Sequence, residues 1–171
     1  MHPKSEMTLM TALLLLAALE PGQKMPRIEG ESLSGRKAQV PVSGKVALHA
    51  LGFSYQSRFP VEAWVGRFEK DFGGRAGVTF FEIPVIGGLG MLGKPFINRG
   101  MRNGTPKEKH ENVLTVYGGA GELRKAFGVK KDESAVLVLT DGNGVVRWSH
   151  EGIFEEAKYA ELKSAVEALL R

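Results

Sequence analysis

The chain has 171 residues, 43% of them hydrophobic, 25% charged and 8% aromatic, with a net charge of +4. This composition excludes collagen-like, coiled-coil and wholly disordered chains, and the length suits one domain with a buried core. The charges are mixed along the sequence, so the mild basicity is not a nucleic-acid footprint; the absence of cysteine excludes disulfides, thiolate metal sites and any dithiol cycle within the chain.

The first predicted element is a leader. Leu9 to Leu19 is an uncharged apolar run, with Lys4 ahead of it and the small residues Ala17 and Ala18 near its end. It is shorter than the roughly 20 residues that span a bilayer and matches the apolar stretch of a secretory signal. Leu19 and Glu20 blur the cleavage pattern, and Glu6 lies in the leading segment. Residues 1–24 are therefore expected to be an export signal or N-terminal anchor, and residues 25–171 a domain exported to the periplasm or membrane surface of a bacterium.

Pro21-Gly22 breaks the run. Arg27 to Pro41 reads as a loose hairpin turning at Ser34-Gly35. Lys45 to Ser54 is continuously apolar, as in a central strand buried on both faces, with His49 inside it. After the loop Tyr55–Phe59, Pro60 suits a first helical turn, and Val61, Trp64, Val65, Phe68 and Phe72 repeat at helical spacing until Gly73-Gly74. Val78 to Ile83 is the next strand, so strand, helix and strand predict a right-handed crossover with a parallel pair. A glycine-rich insertion covers Ile86 to Gly104. Thr105-Pro106-Lys107-Glu108 reads as a capping box. A short strand at Val113–Tyr117 and a short helix at Glu122–Phe127, closed by Gly128, follow. Strands at Ala135–Leu139 and Val145–Ser149 join through Asp141-Gly142-Asn143-Gly144, a strong hairpin turn. Phe154 to Arg171 is the last helix, with Tyr159, Leu162, Val166 and Leu169 on its apolar face.

The order of these elements over residues 26–154 resembles the thioredoxin-like superfamily. The segment Pro26-Arg27-Ile28-Glu29-Gly30, with Leu33, Gly35 and Val40, resembles the N-terminal hairpin of its thiol-disulfide and peroxiredoxin branches. Within the superfamily, Phe96-Ile97-Asn98-Arg99-Gly100-Met101-Arg102, Pro106-Lys107-Glu108-Lys109-His110, Gly121 to Gly128 and Val145-Val146-Arg147-Trp148 resemble the mitochondrial ATPase-complex assembly factors. The resemblance implies a thioredoxin-like α/β fold: a mixed sheet flanked by helices, an N-terminal hairpin and an insertion at about 86–110. It also implies a role in assembling the membrane sector of ATP synthase. The signal-like leader, in place of a mitochondrial transit sequence, departs from that family.

A dithiol enzyme of this superfamily needs two cysteines where the first long strand meets the first helix, because the helix N-terminus lowers the thiol pKa. Here that place reads Ser54-Tyr55-Gln56-Ser57-Arg58-Phe59-Pro60. The cis-proline of redox members is also missing, since Glu133-Ser134-Ala135 precedes the hairpin strand. Thiol chemistry is excluded while the fold is not.

Gly88-Leu89-Gly90-Met91-Leu92-Gly93 matches G-x-G-x-x-G after a strand. A dinucleotide site needs a helix opening there and an acid at the end of a second strand. Lys94-Pro95 is expected to interrupt such a helix, and Glu108 lies in the cap, so a flexible insertion is the favoured reading. The histidines at 2, 49, 110 and 150 have no metal-ligand spacing, and His49 reads as a core residue. His110 follows the capping box and matches the assembly-family pattern. Ser57 and Arg58 at a helix start read as a solvated loop, with an anion site as the alternative. Lys94, Arg99, Arg102, Lys107 and Lys109, interleaved with Phe96, Ile97 and Met101, read as a solvated face or as a docking surface for an acidic partner or anionic headgroups. Trp148 reads as core or edge packing.

The function expected is non-redox protein binding, as an assembly factor or chaperone for a membrane complex such as ATP synthase. Arg99, Arg102, Lys107, His110, Tyr55, Ser57 and Arg58 are the candidate contacts. The partner would be a protein, with membrane-complex subunits and the membrane surface as candidates; no cofactor, metal or nucleic acid is expected. The alternative is a degenerate homologue of extracytoplasmic thiol-disulfide or peroxiredoxin-related enzymes, acting without its own cysteines.

Overall fold

A computed structural model describes residues 19–171. The apolar run that motivates the leader lies outside these residues except for Leu19. Residues 19–25 run along the sheet edge: Ser149 Oγ donates to the Leu19 carbonyl at 2.6 Å, and the Met25 amide donates to Gly144 O at 3.0 Å.

The chain folds as β1 (Ile28–Ser32), β2 (Lys37–Val40), β3 (Val46–Gly52), α1 (Arg58–Phe72), β4 (Val78–Ile86), α2 (Lys94–Gly104), β5 (Leu114–Tyr117), α3 (Ala120–Ala126), β6 (Ala135–Thr140), β7 (Val146–Gly152) and α4 (Glu156–Leu169). The strands form one seven-stranded sheet in the order β2-β1-β5-β4-β3-β6-β7. β3 pairs in parallel with β4 and antiparallel with β6, so the sheet is mixed.

β3 is central because it is apolar on both faces. Val46, Leu48 and Ala50 pack with Trp64, Val65 and Phe68 of α1 and with Tyr159, Leu162 and Val166 of α4. Leu51 packs on the other face with Ile83, Val136, Val138, Ala120 and Phe127. Trp64 is fully buried, with its ring 5.1 Å from that of Phe154. Truncating such a side chain costs about 3–5 kcal/mol, so this layer fixes α1, and with it the loop before it, against the sheet.

His49 is the core histidine expected. It is fully buried, its Nε2 lies 3.1 Å from Thr140 Oγ1, and burial pushes its pKa down to about 3.

Two local readings need correction. The glycine-rich insertion is not an irregular loop, because residues Gly88–Gly93 coil as a 3-10 helix and α2 opens at Lys94. Pro95 does not interrupt that helix; it occupies the first turn, where a missing N–H costs nothing and a fixed φ helps. The capping box also does not form. Pro106 forces Thr105 into an extended conformation (φ −118°, ψ 128°), and Lys107–Asn112 becomes a 3-10 turn without a side-chain cap.

Candidate functional site

The parallel strands β3 and β4 end side by side at Gly52 and Ile86. A crevice outside the carboxyl ends of parallel strands is where α/β sheets place their sites. Here a cavity of about 730 Å³ opens there. Gly52, Pro84 and Ile86 form its base, Tyr55, Arg58, Val61 and Glu62 one wall, and Ile97, Met101 and Thr105 the opposite wall.

The first wall is built around two serines. The Ser54 amide donates to Ser57 Oγ at 3.1 Å, and the Ser57 amide donates to Ser54 Oγ at 3.1 Å. Ser57 Oγ in turn donates to the Ser54 carbonyl at 2.7 Å. Ser54 is exposed and also donates to the Asp132 carbonyl at 2.8 Å. Ser57 is 0% exposed, which corrects the solvated-loop reading for that residue. Its burial requires Gly52, because a Cβ there would stand 2.6 Å from Ser57 Oγ. Arg124 braces the same loop. Its guanidinium lies 5.3 Å from the Phe53 ring centre and pairs with both carboxylate oxygens of Asp132 at 2.9 Å, which holds that carboxyl below its ordinary pKa.

The rim is aromatic. Tyr55 is 69% exposed and Phe59 50% exposed, with rings edge to face at 6.5 Å. The Arg58 guanidinium sits over both, 4.5 Å from one ring centre and 4.6 Å from the other. On α2, next to the cavity-lining Ile97, Phe96 is 81% exposed.

Glu82 on the β4 side of the cavity was not singled out by the sequence reading. It follows Phe80 by two positions, on the face that packs against α1. Burial pushes its carboxyl pKa up to about 7, and the neighbouring charges of Glu62 and Glu69 add to the rise while Lys109 opposes it. The available signal was a charge in phase with the apolar residues of a buried strand.

Tyr55, Ser57 and Arg58 thus come together at one cavity. Arg99, Arg102, Lys107 and His110 do not line it. Arg102 Nε donates to the Leu33 carbonyl at 2.8 Å, and His110 Nε2 lies 2.9 Å from the Thr105 carbonyl. Lys94 pairs with Glu31 at 3.6 Å and Lys109 with Glu69 at 2.6 Å. Much of the basic stretch therefore fixes α2 and the following turn against the hairpin and α1. Arg99 and Lys107 remain exposed.

A helix does open after the G-x-G-x-x-G run, as a dinucleotide site requires. The run itself is helical, however, and the Gly90 amide donates to the Gly87 carbonyl at 3.2 Å instead of facing outward to a phosphate. Among the described residues, no group of three or more metal-ligating side chains is gathered. No helix among them is long and apolar enough to cross a membrane. The cis peptide among them joins Val40 to Pro41, away from the start of β6.

Comparison with protein-family models and with curated sequences gives no match. Solved structures do match. A Chlorobium tepidum chain assigned as the thiol:disulfide interchange protein DsbE superposes with a TM-score of 0.61 at 19% identity, over 90% of this chain and 100% of that one. The thioredoxin domain of a Bacteroides vulgatus thiol-disulfide oxidoreductase gives 0.63 at 13% identity, over 87% and 99%. The exposed lipoprotein thioredoxin of Streptococcus pneumoniae gives 0.57 at 17% identity, over 83% and 99%. The fold is thioredoxin-like. These neighbours are thioredoxin-fold proteins of the thiol-disulfide class, and the present chain has that fold with no cysteine.

Proposed function

We propose that this protein is a cysteine-less homologue of extracytoplasmic thiol-disulfide oxidoreductases that holds polypeptide segments without redox chemistry. The single observation behind this reading is the Ser54–Ser57 loop. It sits where the long central strand meets α1, its first hydroxyl is exposed, its second is buried, and an open cavity lies beside it. On this reading the loop stands where a dithiol enzyme of this fold carries its thiols, with hydroxyls in their place and no base bonded to either. A serine hydroxyl without such a base is a weak nucleophile, so binding remains as the use of the site.

The aromatic rim supports a polypeptide ligand. Exposed Tyr, Phe and Arg side chains around a pocket are the residue types that dominate protein recognition. The neighbours, an exposed lipoprotein among them, support an extracytoplasmic location. They also favour this reading over the narrower one of an assembly factor for ATP synthase.

The test is a fluorescence-anisotropy titration of the full chain with labelled, reduced and carboxymethylated α-lactalbumin, a permanently unfolded polypeptide. The reading expects saturable binding, unchanged by dithiothreitol and weakened about tenfold or more when Tyr55 and Phe59 are both changed to Ala. Absence of binding, or binding indifferent to both substitutions, contradicts it.

A further inference from the structure

The walls of the cavity are mostly apolar: Phe53, Val61, Val85, Ile97, Met101 and Val113 contribute. A carboxylate in such surroundings is costly unless something compensates its charge. Glu82 faces the cavity from β4, and Glu62 faces it from α1. No hydrogen bond contributes to the state of the Glu82 carboxyl, and its neighbours Glu62 and Glu69 disfavour its charge.

The basic groups nearby are committed elsewhere. Lys109 is 2.6 Å from Glu69. Arg58 lies over the rings of Tyr55 and Phe59 at the rim, and it is not among the charges acting on Glu82. The cavity therefore presents an apolar slot with an acid on its wall that Lys109 offsets only in part, and a second acid beside it.

We infer that this cavity takes a lysine or arginine side chain of the bound polypeptide, its methylene stem against Val61, Ile97 and Met101 and its cationic head between Glu82 and Glu62. The stem suits the apolar walls, because long basic side chains bury their methylenes and keep the head at a polar partner. The head supplies counter-charge beyond the part that Lys109, paired with Glu69, provides. Glu62 and Glu69 on α1 and Lys109 on the turn before β5 are the other charged groups acting on Glu82. Binding of a cation favours the ionised form of Glu82, so affinity rises from pH 6 to pH 8.

This inference rests on the polypeptide-binding reading, and the test separates the two. Isothermal titration of the full chain would use the peptide acetyl-Gly-Leu-Thr-Lys-Thr-Leu-Gly-amide and its norleucine counterpart, with 4-phenylbutylamine as a small amine probe. The expected result is Lys-peptide binding about tenfold tighter than norleucine-peptide binding, with the preference lost in Glu82→Gln and reduced in Glu62→Gln. Glu62 is exposed, so its substitution leaves folding intact; a thermal melt checks Glu82→Gln. Equal binding of both peptides, or a lysine preference that survives Glu82→Gln, overturns the inference and leaves polypeptide binding standing. Binding of the amine alone overturns the polypeptide occupant. No binding by any probe overturns both readings.

Discussion

Ser54 and Ser57 each bind the other's backbone: each hydroxyl accepts from the partner's amide at 3.1 Å. This reciprocal pair closes the loop before α1 without a covalent bond. Two hydrogen bonds per hydroxyl hold a turn that the neighbouring Arg124–Asp132 pair also supports. The loop is thus ordered by its own polar groups, and it needs no disulfide to keep its shape.

The pair makes a direct prediction about stability. Ser57→Ala leaves the Ser54 amide unpaired beside a buried site, so the variant should lose about 1–3 kcal/mol. Urea denaturation followed by tryptophan fluorescence measures it. A midpoint equal to that of the parent would mean that the pair adds nothing to the fold.

Replacing both hydroxyls by thiols should create a dithiol site. In the Ser54→Cys, Ser57→Cys variant, oxidation should join the two residues, seen by mass spectrometry as the loss of two hydrogens and of all alkylation by iodoacetamide. In the reduced variant the thiol at 54 should react first, because position 54 is exposed and position 57 is buried at a helix start. Two freely alkylated thiols after oxidation would show that the loop does not have dithiol geometry.

Gly52 is the steric counterpart of this loop. Gly52→Ala would set a Cβ 2.6 Å from Ser57 Oγ, and relieving that overlap should cost about 1–3 kcal/mol. The cost should shrink in a Gly52→Ala, Ser57→Ala double variant, since the two changes share one contact. Strictly additive losses would contradict the clash.

Much of this organisation was legible in the sequence. Val46 to Leu51 is apolar apart from His49, and such a run fits a strand covered on both faces, so the centre of the sheet was readable. The spacing of Val61, Trp64, Val65, Phe68 and Phe72 placed α1, and Asp141-Gly142-Asn143-Gly144 placed the turn between β6 and β7. α2 was not readable. Its glycines at 100 and 104 oppose a helix by local propensity, Pro95 reads as a breaker although it suits a first turn, and tertiary contacts such as Arg102 to Leu33 hold the helix in place. The capping box failed for a neighbouring reason, since proline at 106 fixes the residue before it outside the helical range. Ser54 and Ser57 were noted at the right place, but their mutual bonding depends on loop geometry. Glu82 carries no motif; its meaning comes from the cavity that α2 closes over it.

The basic stretch on α2 divides into structural and free charges. Arg102→Ala removes the bond to Leu33 and should lower stability by about 1 kcal/mol. Arg99→Ala, at an exposed position, should change it by less than about 0.5 kcal/mol. Urea midpoints of both variants decide the matter, and equal effects would mean that α2 is not held by that contact.

Glu82 should give stability a particular pH dependence. Its folded-state pKa is raised from 4.5 to about 7, so between those values the native state binds more protons than the unfolded state. Its contribution therefore favours folding at pH 4.5 and is lost as pH rises to 7. Glu82→Gln should remove this loss, making the variant relatively more stable at pH 8 by about 1–2 kcal/mol, allowing for partial solvation of the site. A pH-independent difference between the two proteins would contradict the burial of a titrating Glu82.

In the function proposed, polypeptides are held at the rim of the Ser54–Ser57 site. Photo-crosslinking tests it most directly, with p-benzoylphenylalanine placed at Tyr55 or, as a control, at Ile153, which is also exposed but lies away from the cavity. The ligand is reduced and carboxymethylated α-lactalbumin. The account predicts adducts from position 55, suppressed by excess unlabelled polypeptide, and none above background from position 153. Equal adducts from both positions, or none from position 55, would contradict it.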